Sequence, residues 1–350
     1  MGPRPFIIPI FLSHEGCPHR CVFCNQHAMD KSRELGMDAK DIRAHIERFL
    51  VYRKKDRGLV QIAFYGGNFL GIIRERATSL LRASTDMVRE GSVQEIRVST
   101  RPDSIREEAL DFLSGYPVST VELGVQSLND HALETARRGH TSQDSYRAIR
   151  LLKERGYRIG VQIMVGLPGD SEFESQNTAE KIADLAPDVV RIYPTVVLRG
   201  SLLAKWHAEG KYVPMPLGSC VSHVKELYLF FTKKKIRVIR MGLQASETLA
   251  LGRDLLAGPY HPAFGHLVFS EIILDAVVSH LNGKTEHPQT LSLRIHPKNR
   301  SRLNGLKSRN IEVLQKRFNL QTISVVSDPV CPEDHLVIND MPLLLPFDPE

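Results

Sequence analysis

Three thiols stand within eight residues, Cys17-Pro18-His19-Arg20-Cys21-Val22-Phe23-Cys24, directly after an apolar run at 6–12. Iron–sulfur clusters ordinarily take four cysteines. A local set of three can therefore hold three irons of a [4Fe-4S] cube and leave the fourth iron open to another ligand. The competing chemistry is structural zinc in a Cys3His set, with His14, His19 or His27 as fourth ligand. Cys220 and Cys331 stand alone and read as packing residues. Five cysteines, three of them clustered, fit a reduced compartment with a metal site better than a disulfide framework.

The elements that must position these thiols alternate. Apolar runs predict strands at 6–12, 60–65, 95–99, 118–125, 158–165 and 189–198, and helical spacing predicts helices at 38–53, 73–89, 104–113, 142–155 and 172–185. Six strand–helix units in a row imply an α/β fold with a parallel sheet and right-handed crossovers, a partial (β/α)6 TIM-like barrel open on one side. In such folds chemistry sits at the carboxyl ends of the strands. Every unusual motif follows a strand, so the cysteines, Gly66-Gly67-Asn68, Thr100-Arg101-Pro102-Asp103, 122–127 and 166–170 are expected on one rim. The expected division is a barrel at 1–235, a barrel-closing connection at 236–288 and a small α+β domain at 289–350.

On that rim Gly66 and Gly67 remove two side chains, which lets a ligand approach the backbone or simply makes a tight turn. Ser99, Thr100 and Arg101 offer hydroxyls and a carboxylate clamp, or a surface cap. Glu122 and Gln126 share one strand face and need polar partners inside a barrel, from a ligand or from internal hydrogen bonds. The stretch Gly258-Pro259-Tyr260-His261-Pro262 is either a rigid turn that packs Phe264 or a loop bringing Tyr260 and His261 to the open side as proton or hydrogen donors.

The cysteine spacing, with aromatic Phe23 between the last two thiols, resembles the signature of the radical S-adenosylmethionine (radical SAM) enzymes. The resemblance widens along the chain: Tyr65-Gly66-Gly67-Asn68-Phe69, Thr100-Arg101-Pro102-Asp103, Glu122-Leu123-Gly124-Val125-Gln126-Ser127, Arg138-Gly139-His140-Thr141, Gly166-Leu167-Pro168-Gly169-Asp170 and Arg191-Ile192-Tyr193-Pro194-Thr195 come in this order. Together they look like the radical SAM domain of the Elongator catalytic-subunit family, over roughly residues 5–215. The resemblance implies a [4Fe-4S] cluster on Cys17, Cys21 and Cys24, S-adenosylmethionine chelating the open iron, and a 5′-deoxyadenosyl radical that abstracts hydrogen. It also implies cofactor contacts from Phe23, Gly66, Gly67, Asn68, Ser99, Thr100, Arg101, Glu122, Gln126, Gln162 and Gly166. Gln162 is equally well read as a plain core-strand residue, and Asn68 stands where many such enzymes carry an acid. Two departures limit the transfer. Elongator enzymes space their first two cysteines much further apart, and they carry an acetyltransferase domain for which no room is expected here. The chain thus looks like a short bacterial Elongator-like branch.

Between Leu291 and Leu320 lie Arg294, Lys298, Arg300, Arg302, Lys307, Arg309, Lys316 and Arg317 against Glu312 alone, so this segment outweighs the net charge of +6 of the whole chain. Its expected strand–helix–turn–helix–strand order resembles a KH domain, with Gly305-Leu306-Lys307-Ser308 as an imperfect backbone-clamping loop. RNA contacts are expected from Arg300, Arg302, Lys307 and Arg309, against the alternative of a solvated basic hairpin.

Composition, 42% hydrophobic and 25% charged, excludes disorder. No signal peptide is recognisable, and no window is expected to reach the apolar length of a membrane span. The expected protein is a cytoplasmic radical SAM enzyme acting on tRNA or a related substrate. It would be served by a one-electron reductant of flavodoxin or ferredoxin type, with no membrane or DNA partner. A non-turnover Fe–S or haem-handling protein of the same fold and a zinc-stabilised RNA-binding protein are the alternatives.

Overall fold

The computed structural model describes residues 5–25, 39–53, 58–244, 249, 252–283 and 289–347. Its centre is a seven-stranded, wholly parallel sheet whose strands lie in chain order. The strands are β1 (Phe6–Phe11), β2 (Val60–Tyr65), β3 (Glu95–Thr100), β4 (Val118–Gln126), β5 (Arg158–Val165), β6 (Val189–Pro194) and, two elements later, β8 (Arg237–Met241). Helices α1 (Ala39–Leu50), α2 (Arg74–Arg89), α3 (Glu107–Ser114), α4 (Asp130–Thr135), α5 (Ser142–Glu154) and α6 (Glu172–Asp184) carry the crossovers. The inner strands β2 and β4 are buried along nearly their whole length, as parallel strands covered on both faces must be. Helix starts follow their caps. Thr141 and Asp144 form a reciprocal capping box on α5, and the Ser171 hydroxyl caps α6.

The barrel is one strand larger than the six units read from the sequence. β8 pairs in parallel with β6 beyond the expected boundary at 235. Its sequence, Arg237-Val238-Ile239-Arg240-Met241, follows three lysines and stays half-buried throughout, because it is the edge of the sheet. The expected sixth strand also divides. Pro194 closes β6, and β7 (Val197–Leu198) turns away to pair antiparallel with β9 (Leu255–Ala257).

Helices α7 (Leu202–Ala208), α8 (Leu217–Lys233) and α9 (Phe264–Asn282) lead out of the barrel. Helix α9 corrects an expectation: it is long and apolar enough to cross a membrane by length and composition. Its apolarity all round has a local cause, since one contiguous core runs from α8 through Val268, Ile272 and Val277 of α9 into the C-terminal unit. That unit is β10 (Thr290–Ile295), α10 (Arg300–Asn304), α11 (Arg309–Phe318), β11 (Thr322–Ser327) and the hairpin β12 (His335–Ile338)–β13 (Met341–Leu344). Its sheet order is β11-β10-β12-β13, with β10 and β11 parallel.

One buried amide fastens this unit to the barrel. Asn310 Nδ2 donates to the Ser270 carbonyl at 2.9 Å and its hydroxyl at 3.0 Å, and Ser270 Oγ donates to the Arg302 carbonyl at 2.8 Å. Asn310→Ala strips partners from buried acceptors and is expected to cost about 1–3 kcal/mol, read from the denaturant midpoint of the full chain.

Candidate active site

The cysteine loop leaves the carboxyl end of β1 and is laid against the turn after β2. Leu12 N–H donates to the Tyr65 carbonyl at 2.7 Å and Asn68 N–H to the Glu15 carbonyl at 2.8 Å. The Asn68 side chain completes the joint. Its Nδ2 donates to the Gly16 carbonyl and to Ser104 Oγ, both at 2.9 Å. Its Oδ1 accepts from Thr100 Oγ1 at 2.6 Å and Arg101 N–H at 3.1 Å. Two donors and two acceptor positions are all an amide has, and Asn68 is 1% exposed. The side chain expected to touch a cofactor is instead a staple between the cysteine loop and the end of β3. The glycines serve the same joint: a Cβ on Gly67 would strike the Glu15 carbonyl, and one on Gly16 the Asn68 carbonyl. What comes close to Gly67 is the chain's own loop. Gly66 holds φ +98 in the same turn.

The thiols stand among cations. Arg138 lies in the turn between α4 and α5, and its Nη1 donates to Cys21 Sγ at 3.0 Å while its Nη2 donates to the Gly124 carbonyl at 2.6 Å. Sequence reading quoted Arg138 within a motif and gave it no role. Its neighbour Gly139 holds φ +70 and leaves room for the His19 ring, into which a Cβ would run. Burial and the adjacent Cys21 push the Cys17 thiol up, while Arg101 and Arg138 pull it down. His140 is held near pKa 3 by burial and by Arg138 and Arg101, so its imidazole is neutral. Four buried polar atoms here have no partner among the described residues: Arg101 Nη1, Arg138 Nε, Gln126 Oε1 and His140 Nδ1. Buried polar atoms of native proteins are otherwise nearly all satisfied.

Inside the barrel Glu122 is fully buried and its carboxylate is consumed by protein. Oε1 accepts from Arg97 Nη1 at 2.5 Å and Arg191 Nη2 at 2.9 Å, and Oε2 from Gln162 Nε2 at 3.0 Å, with Arg191 Nε at 2.8 Å. Burial alone would raise its pKa, but the charges of Arg191 and Arg97 outweigh that and bring it to about 2. Burial and Glu122 push the Tyr65 phenol to about 12. Glu122, expected to meet a cofactor, therefore takes the other role open to it, internal hydrogen bonding. Gln162 also donates to Ser99 Oγ at 3.2 Å.

The remaining expected residues lie as follows. Phe23 packs with Val22, Leu167, Val197 and Leu203 in a small apolar cluster beside the thiols. Gly166 accepts from Tyr212 Oη at 2.7 Å. Tyr260 packs against Val196, Leu198 and Leu249 beyond β6, and its hydroxyl is buried without a partner among the described residues. His261 Nδ1 accepts from Ala263 N–H at 3.1 Å, where α9 starts. In the tail, Arg309 pairs with Glu271, Arg300 donates to Ser327 Oγ at 3.0 Å, and Arg302 lies 4.4 Å over the Phe269 ring. Lys307 is exposed in the loop before α11. Much of the basic run is thus engaged with acids and rings of its own chain. Among the described residues no three His, Cys, Asp or Glu side chains, the three clustered thiols included, converge on a single point, so this geometry does not separate zinc from an iron–sulfur cluster, and His27 lies outside those residues.

Comparisons with known proteins give the family and the fold. Residues 12–182 match the radical SAM superfamily and residues 187–273 the radical SAM C-terminal domain. The chain belongs to the radical SAM superfamily. It is 30% identical over 217 residues to an uncharacterized protein of Methanocaldococcus jannaschii, covering 59% of this chain and 66% of that one. It is 25% identical over 243 residues to a tRNA uridine(34) acetyltransferase of Dehalococcoides mccartyi, covering 60% and 53%. The chain therefore spans between about half and two thirds of these relatives. The fold is that of an archaeal Elp3 of Methanocaldococcus infernus, TM-score 0.62 at 20% identity, over 84% of this chain and 71% of that one.

Glu122→Gln leaves Arg97 and Arg191 buried without counter-charge and is expected to cost about 3–5 kcal/mol near neutral pH. Because the folded pKa of about 2 lies below the ordinary 4.5, the carboxylate stabilises above 4.5 and loses that effect as pH falls toward 2. Denaturant midpoints measured from pH 7 downward should show the gap between native and variant chains narrowing below pH 4.5.

Proposed function

We propose that this chain is a radical SAM enzyme that modifies RNA, in the first instance tRNA, and works in the cytoplasm. The observation carrying the cofactor reading is the ring of unsatisfied buried atoms, Arg101 Nη1, Arg138 Nε, Gln126 Oε1 and His140 Nδ1, around Cys17 and Cys21. Buried donors and acceptors in such number fit a polar ligand with both kinds of group beside a thiolate-held metal cluster.

Cys17, Cys21 and Cys24 would hold a [4Fe-4S] cluster and leave one iron for S-adenosylmethionine. Bound together, the two supply one-electron reductive cleavage of the nucleotide and a radical able to take hydrogen from a substrate. The chain's own part is positioning. Asn68 fixes the cysteine loop against β3, and Arg138 donates to the Cys21 sulfur and so fixes its position. Arg101 and Gln126 offer a cation and an acceptor to the polar groups of the nucleotide, while Val22, Phe23 and Leu167 exclude water on the other side. Clefts of about 610 and 770 Å³ flank residues 16–20 and give a flavodoxin- or ferredoxin-type donor access to the loop. The unpartnered Tyr260 hydroxyl stands as donor to the substrate, with His261 beside it. The RNA assignment is supported by the likeness to a tRNA uridine(34) acetyltransferase and by exposed Lys307 with the surrounding basic loop.

Anaerobically reconstituted protein, reduced with dithionite, is expected to release 5′-deoxyadenosine from S-adenosylmethionine, and Cys24→Ala to release none. Stimulation by total tRNA is the expected sign of an RNA substrate. A full iron and sulfide complement without 5′-deoxyadenosine under any condition would move the assignment to a binding protein of this fold.

A further inference from the structure

The lumen of the barrel carries more positive charge than its acids balance. Arg97, Arg191 and Arg240 face it from β3, β6 and β8, and Glu122 is their common counter-charge. At the amino-terminal mouth Glu95 is already taken by Arg158 and by Gln61 Nε2 at 2.5 Å. Glu122 is spent on Arg97, Arg191 and Gln162. Arg191 and Arg240 are register partners on neighbouring strands, so their guanidiniums lie on the same face side by side. Arg240 has no acidic partner among the described residues. Its Nε donates to the Gly242 carbonyl at 3.1 Å and its Nη2 to the Leu243 carbonyl at 3.0 Å, and those carbonyls hold the fork in place while Nη1 has no partner among the described residues.

We propose that the open edge of the lumen is an oxyanion site, in which Arg191 and Arg240 bind a phosphate or carboxylate group carried by the substrate. Arg191 spends Nε and Nη2 on Glu122 and Tyr65, and Arg240 spends Nε and Nη2 on two carbonyls, so each guanidinium has its Nη1 side left to donate, and one oxyanion bridging the two receives a charge-assisted donor from each. A buried excess of cations is unfavourable until an anion joins it, and low-dielectric walls focus that attraction on the lumen. Burial and the like charge of Arg191 already weaken the hold of Arg240 on its proton. Tyr193, two residues beyond Arg191 on the same strand face, and Tyr65, whose hydroxyl lies 2.8 Å from Arg191 Nη2, line the same space. Access is lateral, because β8 is the last strand of the sheet and each of its residues is half-exposed. The thiols follow β1, at the other end of the strand order, so this anion is a substrate group and not part of the cluster's ligand set.

This assignment to a substrate rests on the enzyme reading above, and the two are separated by measuring both in one preparation. Reconstituted full-length protein is titrated calorimetrically under anaerobic conditions with inorganic phosphate and, separately, with acetate. Saturable binding is expected for at least one. Tighter phosphate binding identifies a nucleotide or RNA phosphate as the source, and tighter acetate binding a carboxylate-bearing metabolite. Arg240→Gln should weaken the binding by about tenfold or more, Arg240→Lys by less, and Lys307→Gln, in the basic tail, not at all. Equal affinity in the native chain and Arg240→Gln, or no saturable binding of either anion, overturns the site. If Arg240→Gln does not fold, an unchanged affinity in Arg240→Lys does the same, because an ammonium cannot keep both carbonyl bonds and still aim a donor at the anion. Release of 5′-deoxyadenosine without anion binding removes the oxyanion site and leaves the radical chemistry. Anion binding lost in Arg240→Gln without 5′-deoxyadenosine keeps the site and removes the enzyme reading.

Discussion

A single buried carboxylate draws five strands together. Glu122 on β4 takes donors from β3, β5 and β6, and Tyr65 of β2 reaches it at 3.4 Å, while the neighbouring Arg240 brings β8 within its field. A closed barrel fills its interior with branched apolar side chains in layers. An open one leaves that interior reachable by water and substrate, so a hydrophobic filling would present apolar surface to solvent. The charged network solves this differently, because it holds the curved sheet from within and keeps the cavity polar. Buried ion pairs seldom add net stability over an apolar core, so their value here is that they specify where each strand stands.

The rim obeys a second constraint, which is backbone proximity. The cysteine loop and the turn after β2 approach so closely that Gly16, Gly67 and Gly71 tolerate no side chain. Asn68 then satisfies the polar groups that this closeness buries. An acid at this position could not donate to the Gly16 carbonyl. The amide is thus matched to its surroundings.

The architecture was legible because parallel strands covered on both faces read as mainly apolar runs ended by glycine, as β2 is by Gly66 and β5 by Gly166. β8 escaped notice because it is short, carries two arginines in five residues and follows a lysine run, the pattern of a surface loop. Helix α9 was misjudged for the opposite reason: packing on two sides removes the polar face that marks an ordinary amphipathic helix. The cysteines were readable from spacing alone. The division between residues that meet a ligand and residues that hold one another was not, since Glu122, Asn68 and Gln126 look equally available in sequence. Only the partners separate them, with Glu122 and Asn68 saturated and Gln126 left with an unused acceptor.

The same distinction places the chemistry. Polar atoms whose bonds are complete within the chain, Asn68 and Glu122, set distances between strands and loops. Polar atoms left incomplete, on Arg101, Gln126, Arg138 and His140, gather beside the thiols, and the cation without a carboxylate, Arg240, stands at the open edge. The two incomplete regions differ in kind. The first offers donors and an acceptor together and suits a zwitterionic nucleotide; the second offers only guanidinium donors and suits an anion. A molecule that bridges them would lay its reactive portion over the thiol rim and its negative group against β8. On the proposed reading, charge rather than shape is the first filter on what enters the barrel.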